Sequence, residues 1–324
     1  MRVVCLPGDG VGPEVMRVAR HALKALAPEL ELEERPFGAA AIRAVGDPLP
    51  EETLAACCRA DAVLKGPIGD PEFDGAPVGP EQGLLRLRAE LDVYANLRPA
   101  VHGAVDLLIV RELVGGLYFG ASGVREDGTA FDTCEYTPAQ VERVARRAFE
   151  LARLRRRHVT SVDKANVLET SRLWRRVVNE VACDYDDVVL EHMLVDNAAM
   201  QIASSPERFD VIVTENMFGD ILSDLAAAMT GGLGLAPSAS LGDAGAGLFE
   251  PVHGSAPDIA GRGIVNPAAM LRSTALLLEH GLGRTADARK LEEAVDAALT
   301  AAPTRDLGGD ATTEAFGAAV LAGC

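Results

Sequence analysis

An α/β fold on a parallel sheet, spread over two lobes, is what this sequence predicts, and three observations carry the prediction. Short apolar runs rich in β-branched residues, such as Val211-Ile212-Val213, read as strands buried on both faces. Stretches of helical spacing follow them, as from Gly219 onward, where Ile221, Leu222, Leu225 and Ala228 recur on one side. The 324 residues also exceed what a single hydrophobic core usually serves.

Composition narrows the function classes. With 48% hydrophobic and 24% charged residues the chain has the make-up of a soluble globular enzyme, and a net charge of −17 argues against nucleic acid or an anionic membrane as partner. An anionic substrate would therefore need local arginines to hold it. Six scattered cysteines with no CxxC spacing suggest neither a zinc site nor a disulfide framework and fit a reducing cytoplasm. The start, MRVVCLPGDG, reaches Pro7 and Asp9 before a signal-peptide core could form. No apolar run approaches the roughly 20 residues of a membrane span.

Taken in order, Arg2 to Leu6 reads as a strand, Pro7 to Gly12 as a glycine-rich turn, and Pro13 to Ala27 as a helix with Val15, Val18, Ala22, Leu23 and Leu26 in one stripe. The turn is G-x-G-x-G, not the dinucleotide G-x-G-x-x-G, so a tight turn without ligand is its first reading and close approach of a cofactor its second. A helix at Pro50 to Arg59, a strand at Ala62 to Lys65 and a loop from Gly66 to Pro80 follow. A helix then carries Arg86 and Arg88, an extended stretch carries Arg98, and a strand at Asp106 to Val110 delivers Arg111. Three such arginines are either surface charge or planar forks for carboxylates. Gly115 to Gly120 reads as a second short strand bearing Tyr118.

Thr137 to Arg156 reads as an amphipathic helix ending in a basic run that suits a helix carboxyl terminus. The strand Val159 to Val162 leads to Lys164, for which two readings stay open: proton transfer, or a structural salt bridge. A strand from Val188 to Val195 delivers Asp196. Asp220 and Asp224, four apart on a helix behind a buried strand, repel each other unless solvated or bound by a hard cation; we take them as metal ligands, with Asp196 a third candidate. After Gly231-Gly232, Gly234 to Gly247 reads as loop and Leu248 to Met270 as a shaped loop holding His253 and Asp258. Helices at Pro267 to His280, Ala286 to Ala301 and Thr312 to Leu321 close the chain.

The motifs PGDGVGPEV, NLRPA, VRELVGGLYFG, VDKANVLE, TENMFGDILSDLAA and FEPVHGSAPDIAGRGIVNP together resemble the β-decarboxylating dehydrogenases of isocitrate and isopropylmalate, from Val4 to Phe316. The resemblance implies a doubly wound α/β fold of two domains without a Rossmann site: 1–93 with 232–324 for the cofactor, and 94–231 for substrate, metal and dimerisation. It implies oxidative decarboxylation of a 2-hydroxy dicarboxylate with NAD and Mg²⁺ or Mn²⁺, in a cytoplasmic homodimer whose sites are shared through Lys164 and Asp196.

By the same resemblance Arg88, Arg98 and Arg111 bind carboxylates, Asp196, Asp220 and Asp224 hold the metal, and Asp196 also meets the substrate hydroxyl. Lys164 takes the hydroxyl proton and Tyr118 returns one to the enolate. His253, Gly254, Ser255, Ala256, Pro257, Asp258, Ile259 and Asn266 form the adenosine site, where Asp258 favours NAD over NADP. Leu84, Leu85 and Val167 fall at the alkyl group, which points to the isopropylmalate branch. If the leucines only pack in the core, tartrate, malate, homoisocitrate or isocitrate remain possible, as does a catalytically silent subunit. One departure stands out: the stretch between Arg98 and Arg111 is shorter than in the family.

Overall fold

The computed structural model describes every residue from Met1 to Cys324. The chain forms two compact units, Met1–Val93 with Leu233–Cys324, and Tyr94–Gly232. In chain order the first unit opens with β1 (Arg2–Leu6), α1 (Gly12–Leu26), β2 (Glu31–Glu34), α2 (Ala39–Val45), α3 (Glu51–Cys58), β3 (Ala62–Lys65) and α4 (Pro80–Glu90). The second unit holds β4 (Ala95–His102), β5 (Val105–Glu112), β6 (Ser122–Val124), β7 (Ala130–Asp132), α5 (Pro138–Arg153), β8 (His158–Asp163) and α6 (Glu169–Ala182). It continues with β9 (Val189–Leu194), α7 (Val195–Ser204), β10 (Val211–Thr214) and α8 (Asn216–Met229). The chain then returns to the first unit with β11 (Pro237–Leu241), β12 (Gly247–Pro251), α9 (Ala268–Leu276), α10 (Thr285–Ala301) and α11 (Thr313–Gly323).

In the first unit the strands lie in the order β2-β1-β3-β12-β11, parallel except for the last pair. Val3, Val4, Cys5 and Leu6 are fully buried, as a parallel strand covered on both faces requires. The glycine-rich turn serves packing. Val11 N–H donates to Ser255 O at 2.8 Å and Asp9 N–H to Pro67 O at 2.8 Å, and Gly8 and Gly10 take φ of +73° and +56°, so a side chain would be strained there.

The second unit orders its strands β4-β5-β10-β8-β9, with β4 antiparallel to β5 and the others parallel. Ile109, Val162, Ile212, Phe209 and Leu222 lie at its buried centre, each such side chain stabilising the fold by about 1.5–3 kcal/mol. α5 begins with a capping box in which Thr137 and Gln140 satisfy each other's backbone N–H groups. α8 is capped by Glu215, whose carboxylate accepts from Phe218 N–H at 3.0 Å. No helix is long and apolar enough to cross a membrane.

Several expectations change. Gly116–Tyr118 is a 3-10 turn rather than a strand, because Gly116 takes φ of +73° against the ring of Tyr136. The expected loop at Gly234 to Gly247 contains β11, whose run PSASL has only small buried side chains and none of the β-branched residues that mark a strand. β10 runs straight into α8, three residues before the Gly219 start expected. The shortened stretch between Arg98 and Arg111 is a tight hairpin, β4 to β5, closed by Gly103-Ala104 with Gly103 at φ of +58°.

Candidate active site

Topology explains why the charged residues of the second unit meet. β5, β10 and β8 run parallel, with Arg111 opposite Thr214 and Thr214 opposite Val162, so Arg111, the start of α8 and the segment after β8 leave the sheet at one edge. Carboxyl edges of parallel strands are where open α/β sheets bind ligands. The antiparallel β4 returns Asn96 opposite Arg111, which brings Arg98 to the same end.

Both arginines are buried, Arg111 at 2% and Arg98 at 9% exposure, a cost that paired groups offset. Arg111 donates through Nε and Nη2 to Asn216 Oδ1, at 3.0 and 2.7 Å, and through Nη1 to Asp220. Arg98 donates to Asn96 Oδ1 at 2.9 Å, to Ser223 Oγ at 3.3 Å and to Asp224 Oδ1 at 3.3 Å, with Asp220 3.7 Å from its other nitrogen. The two aspartates stand one helical turn apart on α8 and keep 35% and 51% of their side chains exposed, so free lone pairs face solvent. Burial raises the Asp224 carboxyl above its ordinary range, partly opposed by Arg98.

Tyr118 reaches this cluster from its turn. Its hydroxyl donates to Asp220 Oδ2 at 3.1 Å and its ring lies 5.7 Å from the Arg111 guanidinium. Partial burial, and next the Asp220 carboxylate, push the phenol above its ordinary value and keep it protonated.

Lys164 and Asp196 sit elsewhere. Lys164 lies just past β8 with 28% of its side chain exposed, not buried at a strand end, and it pairs with Asp196. As expected, β9 delivers Asp196 to a helix, where it sits in the first turn of α7 two residues past the strand's end, and Lys164 beside it lowers its carboxyl below the usual range. The three aspartates therefore do not gather within one chain, and no group of three His, Cys, Asp or Glu side chains that could hold a metal does so. Val167, beside Lys164, is 60% exposed.

In the first unit, α4 buries Arg88 at 8% exposure with Leu84 and Leu85 half-buried and Leu87 fully buried, so the core contact falls to Leu87. Sequence reasoning missed the partner of Arg88. Glu250 on β12 accepts from Arg88 at 3.0 Å and from Lys65 at 2.8 Å. Burial opposes ionisation of Glu250, but these two cations outweigh it and hold the carboxyl at about 2. Only the pairing of β3 with β12 brings Lys65 near Glu250, and nothing in the local sequence announces it.

The loop after β12 is fixed from two sides. Glu14 on α1 accepts from Gly263 N–H at 3.0 Å and from Gly261 N–H, and Val11 holds Ser255. Asn266 is buried, donates to Asp306 at 3.0 Å and accepts from Ala268 N–H at 3.0 Å, which starts α9. His253 donates from Nδ1 to Gly254 O at 2.9 Å while its Nε2 has no partner, and burial lowers its basicity. Gly254, Pro257 and Asp258 are exposed, with Ala256 and Ile259 half-buried between them.

Two half-exposed carboxylates at helical spacing are oxygen donors of the kind a hard divalent cation takes, and they fit it as an incomplete set. The family model of isocitrate/isopropylmalate dehydrogenase matches residues 2–320. Over 99% of each chain the sequence is 49% identical to the 3-isopropylmalate dehydrogenase of Streptococcus pneumoniae and 51% identical to that of Zymomonas mobilis. Among solved structures, isocitrate dehydrogenase from Methylococcus capsulatus superposes with a TM-score of 0.93 at 38% identity, covering 99% of this chain and 98% of that one. The doubly wound α/β architecture and these matches place the chain in the isocitrate/isopropylmalate dehydrogenase family.

Proposed function

We propose that the chain oxidises and decarboxylates 3-isopropylmalate to 4-methyl-2-oxopentanoate with NAD, as a step of leucine synthesis in the cytoplasm. The observation that carries this is the pair of buried guanidiniums, Arg98 and Arg111, facing Asp220, Asp224 and the Tyr118 hydroxyl, in a chain about half identical to curated isopropylmalate dehydrogenases.

In this reading Arg88, Arg98 and Arg111 grip the two carboxylates of the malate, and the planar guanidinium fork fixes their orientation. Leu84, Leu85 and Val167 face the isopropyl group. The active unit is a homodimer, so the partner's Lys164 takes the hydroxyl proton at Nζ. Bound by Asp220, Asp224 and the partner's Asp196, Mg²⁺ or Mn²⁺ would supply Lewis-acid stabilisation of the oxygen as charge develops on it. NAD, seated by His253, Gly254, Ser255, Ala256, Pro257, Asp258, Ile259 and Asn266, would accept the hydride. The Tyr94–Gly232 unit then carries Arg98, Arg111, Tyr118 and the metal residues, and the other unit Arg88, Leu84, Leu85 and the cofactor loop. Tyr118 delivers its phenolic proton to the carbon from which CO₂ has left; its raised affinity for that proton keeps it loaded until then.

Isopropyl contacts at about 0.8 kcal/mol for each of three CH₂-sized groups would favour isopropylmalate over malate by roughly 2.4 kcal/mol, about 60-fold. NAD reduction measured with isopropylmalate, malate, tartrate, isocitrate and homoisocitrate in Mn²⁺ tests the reading. Isopropylmalate should give the highest kcat/KM; preference for another acid would move the substrate assignment, and no turnover with any would indicate a silent subunit.

A further inference from the structure

Asn216 stands at the first residue of α8, fully buried, and joins three segments that are far apart in sequence. Its Oδ1 accepts both Nε and Nη2 of Arg111. Its Nδ2 donates to Leu113 O at 3.2 Å and Gly115 O at 3.0 Å. Its backbone N–H donates to the Tyr136 hydroxyl at 3.0 Å, and that hydroxyl in turn reaches Glu215 at 3.3 Å. Every polar atom of the Asn216 side chain is thus committed, one end to an arginine of the candidate site and the other to the backbone that leads into the Tyr118 turn. Neither a hydroxyl nor a carboxylate can do both, because the site needs an acceptor at one end and a two-hydrogen donor at the other.

We propose that Asn216 is a positioning residue that couples the carboxylate-gripping fork of Arg111 to the turn carrying Tyr118, so that the substrate clamp and the proton donor are set by one amide. The proposal rests on the reading of Arg111 and Tyr118 given above. The fork of Arg111 has its Nε edge fixed by Asn216, which leaves Nη1 aimed along α8 at Asp220. The Gly115-Gly116 backbone lacks side chains to anchor it, and Asn216 Nδ2 holds the carbonyl through which it enters the turn.

Two variants separate the two ends. Asn216→Asp keeps an acceptor for Arg111 but sets an oxygen against the Leu113 and Gly115 carbonyls. It should keep KM for isopropylmalate within about twofold, lower kcat by about tenfold or more, and speed hydrogen exchange of the Gly115 to Gly120 amides. Asn216→Ala loses both ends and should raise KM as well. Arg111→Lys, which cannot offer two nitrogens to Asn216, should speed exchange of the same amides with no substrate present. Equal losses of kcat and KM in both Asn216 variants, or wild-type exchange at Gly115 to Gly120 in all three, would overturn the coupling. Exchange is read without turnover, so a chain that ignores isopropylmalate but shows the exchange changes would sink the substrate reading and keep the coupling.

Discussion

Asp220 is the carboxylate on which both arginines and Tyr118 converge, and its chemistry can be separated from its packing. Replacing it by Asn keeps the shape and the hydrogen-bonding reach but removes the charge. We expect Asp220→Asn to abolish metal-dependent turnover, a fall of at least about 100-fold, while thermal unfolding stays within a few degrees of wild type. Retention of Mn²⁺-dependent NAD reduction would remove Asp220 from the metal set. In the loop after β12, Asp258 is exposed and free of a buried role, so Asp258→Lys should shift the NADP to NAD ratio of kcat/KM toward NADP without loss of stability. An unchanged ratio would mean that the adenosine loop has been misplaced.

Glu112 gives a prediction about pH at the same scale. It is fully buried and accepts from Val114 N–H at 3.1 Å and Gly115 N–H at 2.9 Å, yet burial lifts its carboxyl from 4.5 to about 7. The folded chain therefore holds this proton more tightly than the unfolded one, and stability is greatest with Glu112 protonated. It should decline as pH rises from about 4.5 to about 7 and level off above, by an amount on the order of 3 kcal/mol. Glu112→Gln removes that slope. Denaturant unfolding of both proteins across this window checks it: parallel stability curves would show that Glu112 does not titrate there. Much at residue scale was legible beforehand, because Arg98, Arg111, Asp220 and Asp224 sit in runs whose strand and helix periods are plain. Glu250, Lys65 and Asn216 were not, since each acquires its role from a residue far away in sequence, and sequence spacing carries no trace of such pairings.

At the scale of elements, the approach of α8 to β5 depends on a missing side chain. A Cβ at Gly219 would lie 2.6 Å from Arg111 Cγ and 2.7 Å from its Cβ, and these atoms are the anchored base of the side chain, not its mobile tip. Gly in a helix interior costs roughly 1 kcal/mol against Ala, so this glycine is kept against helix propensity. Gly219→Ala should therefore lower kcat/KM by about tenfold or more through displacement of the Arg111 fork, although propensity alone would predict a more stable helix. Steady-state kinetics with a matched unfolding curve decides between them; a faster or unchanged enzyme would show that the helix shifts freely. Elements with strong periodicity, such as α1, α5 and β10, were readable from sequence. β11 and the Tyr118 turn were not, because their backbone paths are set by small residues packing on neighbours, and small residues have no periodic signature.

For the whole molecule, the separation of Lys164 and Asp196 from the arginine cluster poses a question of assembly. Within one chain these two residues neutralise each other on the surface, while Asp220 and Asp224 offer a cation only two carboxylates. A homodimer that inserts one chain's Lys164 and Asp196 into the other's cluster would complete both sets by a single twofold operation, and each site would then draw on two chains. The consequence is testable by mixing. Lys164→Met and Asp220→Asn should each be inactive as homodimers, but co-refolded in equal amounts they should regain roughly a quarter of wild-type activity, since half of randomly paired dimers are mixed and each mixed dimer has one unaltered site. Sites built within single chains would give no recovery at any mixing ratio. Recovery that tracks the fraction of mixed dimers, measured by native mass or by an affinity tag on one variant, is the result expected here.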